Sequence, residues 1–205
     1  MTKELNANAE IARRLLGTAT HLFAQDLDPV SVHCLACSAA EHAALISQAS
    51  TGRTFNDHVQ AVFPDRELKT IRKIRNQYWN PIKHAKDHSG QERRLAIDLE
   101  GFNDLQNDHM LFVVWFDYMN GGRGLPLAAQ VFLAWYYDLY PEKISPLHLQ
   151  EVGHEPVFPD LPSQSRKTQK RWLRSATKFY QNNDDIMRSP QTDTRPLVLQ
   201  YWDNP

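Results

Sequence analysis

Asp28-Pro29 opens the segment that most constrains what this chain can become. From Pro29 to about Gln48, closing before Thr51-Gly52, the residues Val32, Leu35, Ala36, Ala39, Ala43 and Ile46 recur at three- and four-residue intervals. That spacing lays one apolar stripe along a helix. The Asp28 carboxylate can accept from a free backbone N–H of the first turn, and proline tolerates the first helical position because its missing donor would have no partner there. The many small residues let a neighbouring helix approach closely, so a central helix is expected.

The rest of the chain extends the same pattern. Ile11, Leu15, Ala19, Leu22 and Phe23 give a first helix over Glu10 to Gln25. Leu68, Ile71, Ile74 and Tyr78 give a third over Asp65 to Trp79, interrupted by Asn80-Pro81, after which Pro81 to His88 reads as a short new helix. Arg94 to Gly101 alternates like a short strand. A fourth helix is expected from Leu105 to Met119, before Gly121-Gly122. A fifth follows Leu125-Pro126, carries Leu127, Val131, Trp135 and Leu139, and stops at Tyr140-Pro141. The fold class expected is all-α, a bundle of about five helices over residues 1–140. Five of the twelve prolines fall between Pro141 and Pro162, so residues 141–205 read as an extended proline-rich C-terminal arm with a terminal basic helix, Ser165 to Gln181, and an extended end.

Composition excludes several classes. With 41% hydrophobic and 23% charged residues the chain can bury a core and is not a disordered polypeptide. A net charge of −1 argues against a surface devoted wholly to nucleic acid, leaving local patches. No run approaches ~20 uninterrupted apolar residues, and Met1-Thr2-Lys3-Glu4-Leu5 lacks the apolar core of a signal peptide, so a cytoplasmic protein without membrane contact is expected. Phosphate-loop, dinucleotide and zincin motifs are missing, and Gly121-Gly122-Arg123-Gly124 lacks the Lys-Ser/Thr pair of a phosphate loop.

Three constellations carry chemistry. Nine Lys or Arg lie between Arg66 and Arg94 against three acids, among them Arg72, Lys73, Arg75, Lys83 and Lys86, with Tyr78 and Trp79 interleaved. Aromatics among cations can stack bases, and the competing reading is a solvated helix face. Asn80, Lys83 and His84 follow the proline break, with Asp87 and His88 beyond. His84 suits a general acid or base and Arg75 or Lys83 a phosphate's developing charge; a capping Asn80 with a structural His84 is the plainer alternative. His84 and His88 share a face, but no flanking cluster completes a metal site, so no metal and no cofactor are expected. In the central helix, His33, Cys37 and Glu41 share a face that His42 does not, and Cys34 and Cys37 read as small buried thiols.

Asp28-Pro29-Val30-Ser31-Val32-His33 and Asn80-Pro81-Ile82-Lys83-His84-Ala85 are similar to segments of small uncharacterised bacterial proteins, and the helical layout over about residues 10–141 loosely resembles the HEPN superfamily. That resemblance implies a four- or five-helix bundle and, in many members, RNA cleavage. Its nuclease members carry Arg, a polar residue, a spacer of four to six residues and then His on one helix. Here Arg75-Asn76 opens the pattern and His84 follows after eight residues, with Pro81 between. The reading is a protein that binds, and in metal-free chemistry cleaves, RNA, with Arg75, Asn80, Lys83 and His84 as its polar centre and His33 and Asp87 nearby. The alternative is a non-catalytic, homo-oligomeric helical interaction module.

The terminal helix adds a second basic surface. Arg166, Lys167, Lys170, Arg171, Arg174 and Lys178 come with no acid among them, while Trp172, Leu173, Ala176, Phe179 and Tyr180 recur at helical spacing. The aromatic face is expected to dock on a bundle, in cis or across a dimer, and the cations, Lys170 and Arg174 included, to form an outward ridge for phosphates.

Overall fold

The computed structural model describes residues 2–62, 102–143 and 155–200, with Lys69, Ile82, Lys86 and Gln91 as isolated positions. The described residues are mostly helical, with little strand. In chain order the helices are α1 (Lys3–Ala24), α2 (Pro29–Thr51), α3 (Phe55–Val62), α4 (Leu105–Asn120), α5 (Leu127–Leu139), α6 (Arg166–Tyr180) and the single turn α7 (Asp184–Met187). Helices α1, α2 and α4 pack into the core, α5 joins α4, and α6 lies on α5 and α1. The helix expected over Asp65 to Trp79, the Asn80-Pro81 break, the short helix after it and the alternating Arg94 to Gly101 fall outside the described residues.

Local chemistry sets the ends. Thr2 caps α1 by accepting from the Leu5 N–H at 3.3 Å, so the helix begins about two turns before Glu10, where the apolar stripe starts. Asp28 caps α2 as its sequence implies, accepting from the N–H groups of Val30 and Ser31 at 3.3 and 2.9 Å. Gly52 ends α2 with φ at +71°, a left-handed conformation that glycine adopts without a Cβ penalty. α3 has no counterpart in the stripes. Thr54 nucleates it, donating from its N–H to Asp57 Oδ2 at 2.7 Å, while Asp117 of α4 accepts from the Phe55 N–H at 2.7 Å.

Trp115 and Trp135 are both completely buried, and each indole N–H has an acceptor: Thr20 Oγ1 at 2.9 Å and the Gln169 carbonyl at 3.0 Å. Buried tryptophan tolerates its polar edge only under that condition. Phe23 meets Phe132 and Trp135 edge-on, and Phe112 stacks on Tyr136 with centroids 3.9 Å apart. By length and composition α2 can cross a membrane, with a mean hydropathy of 1.2 over an 18-residue window; half of that window is buried in the bundle.

The C-terminal arm differs from the loose extension expected of it. Pro141–Lys143 and Leu161–Ser163 are 3-10 turns, Phe158 and Leu161 are buried in the core, and the Phe158 N–H donates to Asp138 at 2.8 Å. Apolar anchors thus hold what proline content alone leaves extended. The chain's last described stretch is extended but clamped. Thr192–Asp193 (β2) pairs in parallel with Leu125–Pro126 (β1). Beyond it, the completely buried Arg13 donates to Asp193 at 2.7 Å and to the carbonyls of Pro196 and Leu197 at 2.9 Å each. Gly17 makes the approach possible, since a Cβ there would sit 2.0 Å from the Leu197 carbonyl oxygen.

Candidate nucleic-acid interface

Ser165 starts α6, its hydroxyl accepting from the Thr168 N–H at 3.4 Å. One turn of the helix must then dispose of several cations near an apolar face. Arg166 and Lys170 turn inward. Arg166 forks across Asp104 at 2.6 Å and Asp108 at 2.5 Å, and Lys170 meets Asp104 at 2.5 Å and Asp26 at 3.3 Å. The Lys170 ammonium also lies 3.9 Å from the centroid of the Phe23 ring. Its side chain is 2% exposed, a placement that a lysine tolerates only with carboxylates in contact. Burial pushes the Asp108 carboxyl upward, and the Arg166 charge, its hydrogen bonds and the Tyr140 hydroxyl at 2.6 Å oppose that rise. Two inward cations therefore latch α6 onto α4 and onto the turn between α1 and α2.

The outward cations form a separate array. Lys167, Arg171, Arg174 and Lys178 are spaced four, three and four residues apart, which confines them to about 60° of the helix circumference over about 16 Å of axis. Lys167, Arg171 and Lys178 are exposed and have no partner among the described residues. Arg174 is half-buried and uses Nη1 on the Ala24 carbonyl and on Asp26 at 3.1 Å. Phe179 borders this ridge with 73% of its surface exposed, its ring edge-to-face with Tyr180.

Two expectations for this helix are corrected here. Lys170 is not on the outward ridge, because the carboxylates of Asp26 and Asp104 draw it into the core. Phe179 does not dock on this chain's own bundle, because the inward arc is already filled by Gln169, Lys170 and Leu173, with Trp172 and Ala176 beside them.

Of the other residues singled out in the sequence, Arg72, Lys73, Arg75, Tyr78, Trp79, Asn80, Lys83, His84 and Asp87 lie outside the described residues. Lys86 is described and exposed. His33 is buried at the start of α2, where Nδ1 lies 3.1 Å from Asn107 Oδ1 and the ring meets Phe102 edge-on. Asn107 donates its amide to the Pro29 carbonyl at 2.9 Å, which fixes its oxygen toward His33 and makes Nδ1 the protonated nitrogen. Burial lowers the His33 pKa, the Asn107 hydrogen bond acting the other way. His42 turns to α1 instead, with Nδ1 2.6 Å from Asn8 Oδ1, as nine positions of helical rotation demand.

A further polar cluster has no counterpart in the sequence reading. His109 Nδ1 lies 2.9 Å from the Tyr136 hydroxyl and Nε2 lies 3.1 Å from Lys143 Nζ. An ammonium only donates, so Nε2 accepts and Nδ1–H points to Tyr136. Burial, with the charges of Lys143 and Arg166 added, lowers His109 to about 4, so the imidazole is neutral at physiological pH. Tyr136 and Tyr140, one helical turn apart, were the available signal: their spacing places two hydroxyls on the face of α5 that meets α4.

Comparison of the chain with family models, with curated proteins and with solved structures finds no match.

Proposed function

We propose that this protein binds single-stranded RNA through the outward face of α6, with Lys167, Arg171, Arg174 and Lys178 on phosphates and Phe179 stacking on a base. The observation that carries the reading is the segregation of charge on one helix. Arg166 and Lys170 are matched by Asp26, Asp104 and Asp108, while Lys167, Arg171 and Lys178 have no carboxylate partner among the described residues. A row of unmatched cations beside an exposed aromatic ring is the arrangement that tracks a nucleic-acid strand, since every base offers a stacking face. Sequence preference would be weak, because phosphates position a strand without reading it.

The reading extends to the basic stretch between Arg66 and Arg94, with Arg72, Lys73, Tyr78, Trp79 and Lys86 as a second contact surface. Cleavage belongs to the same proposal. His84 would take the proton of the 2′-hydroxyl as its oxygen bonds to phosphorus, the P–O5′ bond would break, and the proton would pass to the departing 5′-oxygen, leaving a 2′,3′-cyclic phosphate and a free 5′-hydroxyl. Arg75 or Lys83 would hold the charge that develops on the phosphate, a reaction that needs no metal. Fluorescence anisotropy with a labelled unstructured RNA tests the binding. The Lys167→Gln/Arg171→Gln/Lys178→Gln variant is expected to weaken it while melting as the unaltered protein does. Gel analysis of the same RNA after incubation tests cleavage, which His84→Ala should abolish. RNA that binds and survives intact limits the function to binding, and equal binding by the ridge variant refutes the proposed interface.

A further inference from the structure

A cavity of about 520 Å3 lies under the C-terminal tail, between α1, the start of α5, α6 and residues 193–197. Ala24, Leu127, Leu173 and Met187 give it apolar walls, and the exposed His21, Lys178 and Gln181 stand among its lining. Its volume falls in the range of small-molecule sites, which pair mostly apolar walls with a few convergent polar groups. The roof is rigid, because Arg13 grips Asp193, Pro196 and Leu197 from inside and Arg195 joins Asp193 to Glu10. The space is therefore built into the fold.

The charge on its lining is lopsided. Arg174, Lys178 and Arg195 contribute three positive charges and Asp193 one negative charge. Asp193 is already occupied by Arg13 and Arg195. Arg174 uses only Nη1 on the protein, which leaves Nε and Nη2 of a planar fork without a partner among the described residues, and Lys178 Nζ likewise has none. An Arg fork beside a lysine matches a phosphate or a carboxylate, and the cation excess of the lining favours an anion there.

We propose that this cavity binds a small organic anion, its phosphate or carboxylate head held by Arg174 and Lys178 and its body enclosed between Ala24, Leu127 and Leu173. The site is distinct from the strand interface proposed above, although Arg174 and Lys178 border both. Lys167 and Arg171 lie outside it, and Ala128 lines it.

Titration calorimetry on the full chain with adenosine 5′-monophosphate and with decanoate tests the proposal, with adenosine and inorganic phosphate as single-feature controls. At least one of the two anions is expected to bind at millimolar concentration or below, and to do so more tightly than either control. The nucleotide alone binding assigns a phosphate head, decanoate alone a carboxylate head, and both assign a site that reads charge and bulk. Ala128→Trp, which fills the cavity, should abolish the binding. Lys178→Glu, a change at an exposed side chain that leaves the fold intact, should weaken it at least about tenfold. Lys167→Gln/Arg171→Gln should leave it unchanged while weakening RNA binding, so that either site can fail without the other. Absence of binding by both anions overturns the proposal, as does unchanged binding by Lys178→Glu.

Discussion

Removing the Asp104 carboxylate should loosen α6 from the bundle by an amount the structure lets one work out. Asp104 is the shared acceptor of Arg166 at 2.6 Å and Lys170 at 2.5 Å. Without it Arg166 keeps Asp108, but Lys170, 2% exposed, keeps only Asp26 at 3.3 Å, a carboxylate whose side chain is 45% exposed. Breaking a buried pair from one side costs about 3–5 kcal/mol, and the remaining contact to Asp26 offsets about 1 kcal/mol of that, so Asp104→Ala should lose about 3 kcal/mol. For a chain of this size the melting temperature should fall by about 6–12 °C. Lys170→Met orphans no carboxylate, since Asp104 retains Arg166 and Asp26 retains Arg174, and should change stability by within about 1 kcal/mol. The double variant should recover most of the loss, giving a coupling energy of about 2 kcal/mol in a urea-denaturation cycle. Additive costs would refute the reasoning, because they would mean that Lys170 does not depend on Asp104.

Other expectations follow from the clamped tail and the buried histidine. Gly17→Ala pushes a methyl group into the Leu197 carbonyl and should lower the melting temperature despite the better helix propensity of alanine, with faster hydrogen exchange at the Leu125 N–H that donates to Gln191; an unchanged melt with a protected amide would contradict the clamp. Burial pushes Asp193 up, but hydrogen bonds from Arg195 and Arg13 outweigh it and hold the carboxyl below its usual 3.8. Its contribution is therefore present above that value and is lost as pH falls through the lower folded pKa, a loss that an Asp193→Asn variant should not show in acid denaturation. His109 is depressed from 6.5 to about 4, so the stability it controls is complete above pH 6.5 and declines as pH falls toward 4; His109→Gln should flatten that slope in melts across the window.

What could be read from the chain was what neighbours in sequence decide. Stripes at helical spacing located α2, α4, α5 and α6 to within a few residues, and Asp28-Pro29 marked the start of α2 because a cap is a contact between adjacent residues. α3 escaped because eight residues hold too few apolar positions for a stripe, although Thr54-x-x-Asp57 carried its start signal. The inward turn of Lys170 was not legible, since its acceptors Asp26 and Asp104 lie 144 and 66 positions earlier, and periodicity sorts residues onto faces without saying which face a distant carboxylate will claim. The same holds for Arg13, whose acceptors come from the opposite end of the chain. For the site, the ridge was legible as six cations without an acid, and the structure divides them into those matched by carboxylates and those left to the surface.

The salt dependence of RNA affinity tests the central claim most directly. Four phosphate contacts on a single strand should give a slope of log K against log salt of about −2.8, and removing the charges of Lys167, Arg171 and Lys178 should reduce it to about −0.7. A slope near zero for the unaltered protein, or an equal slope in the variant, would contradict the assignment of this ridge to a nucleic-acid strand.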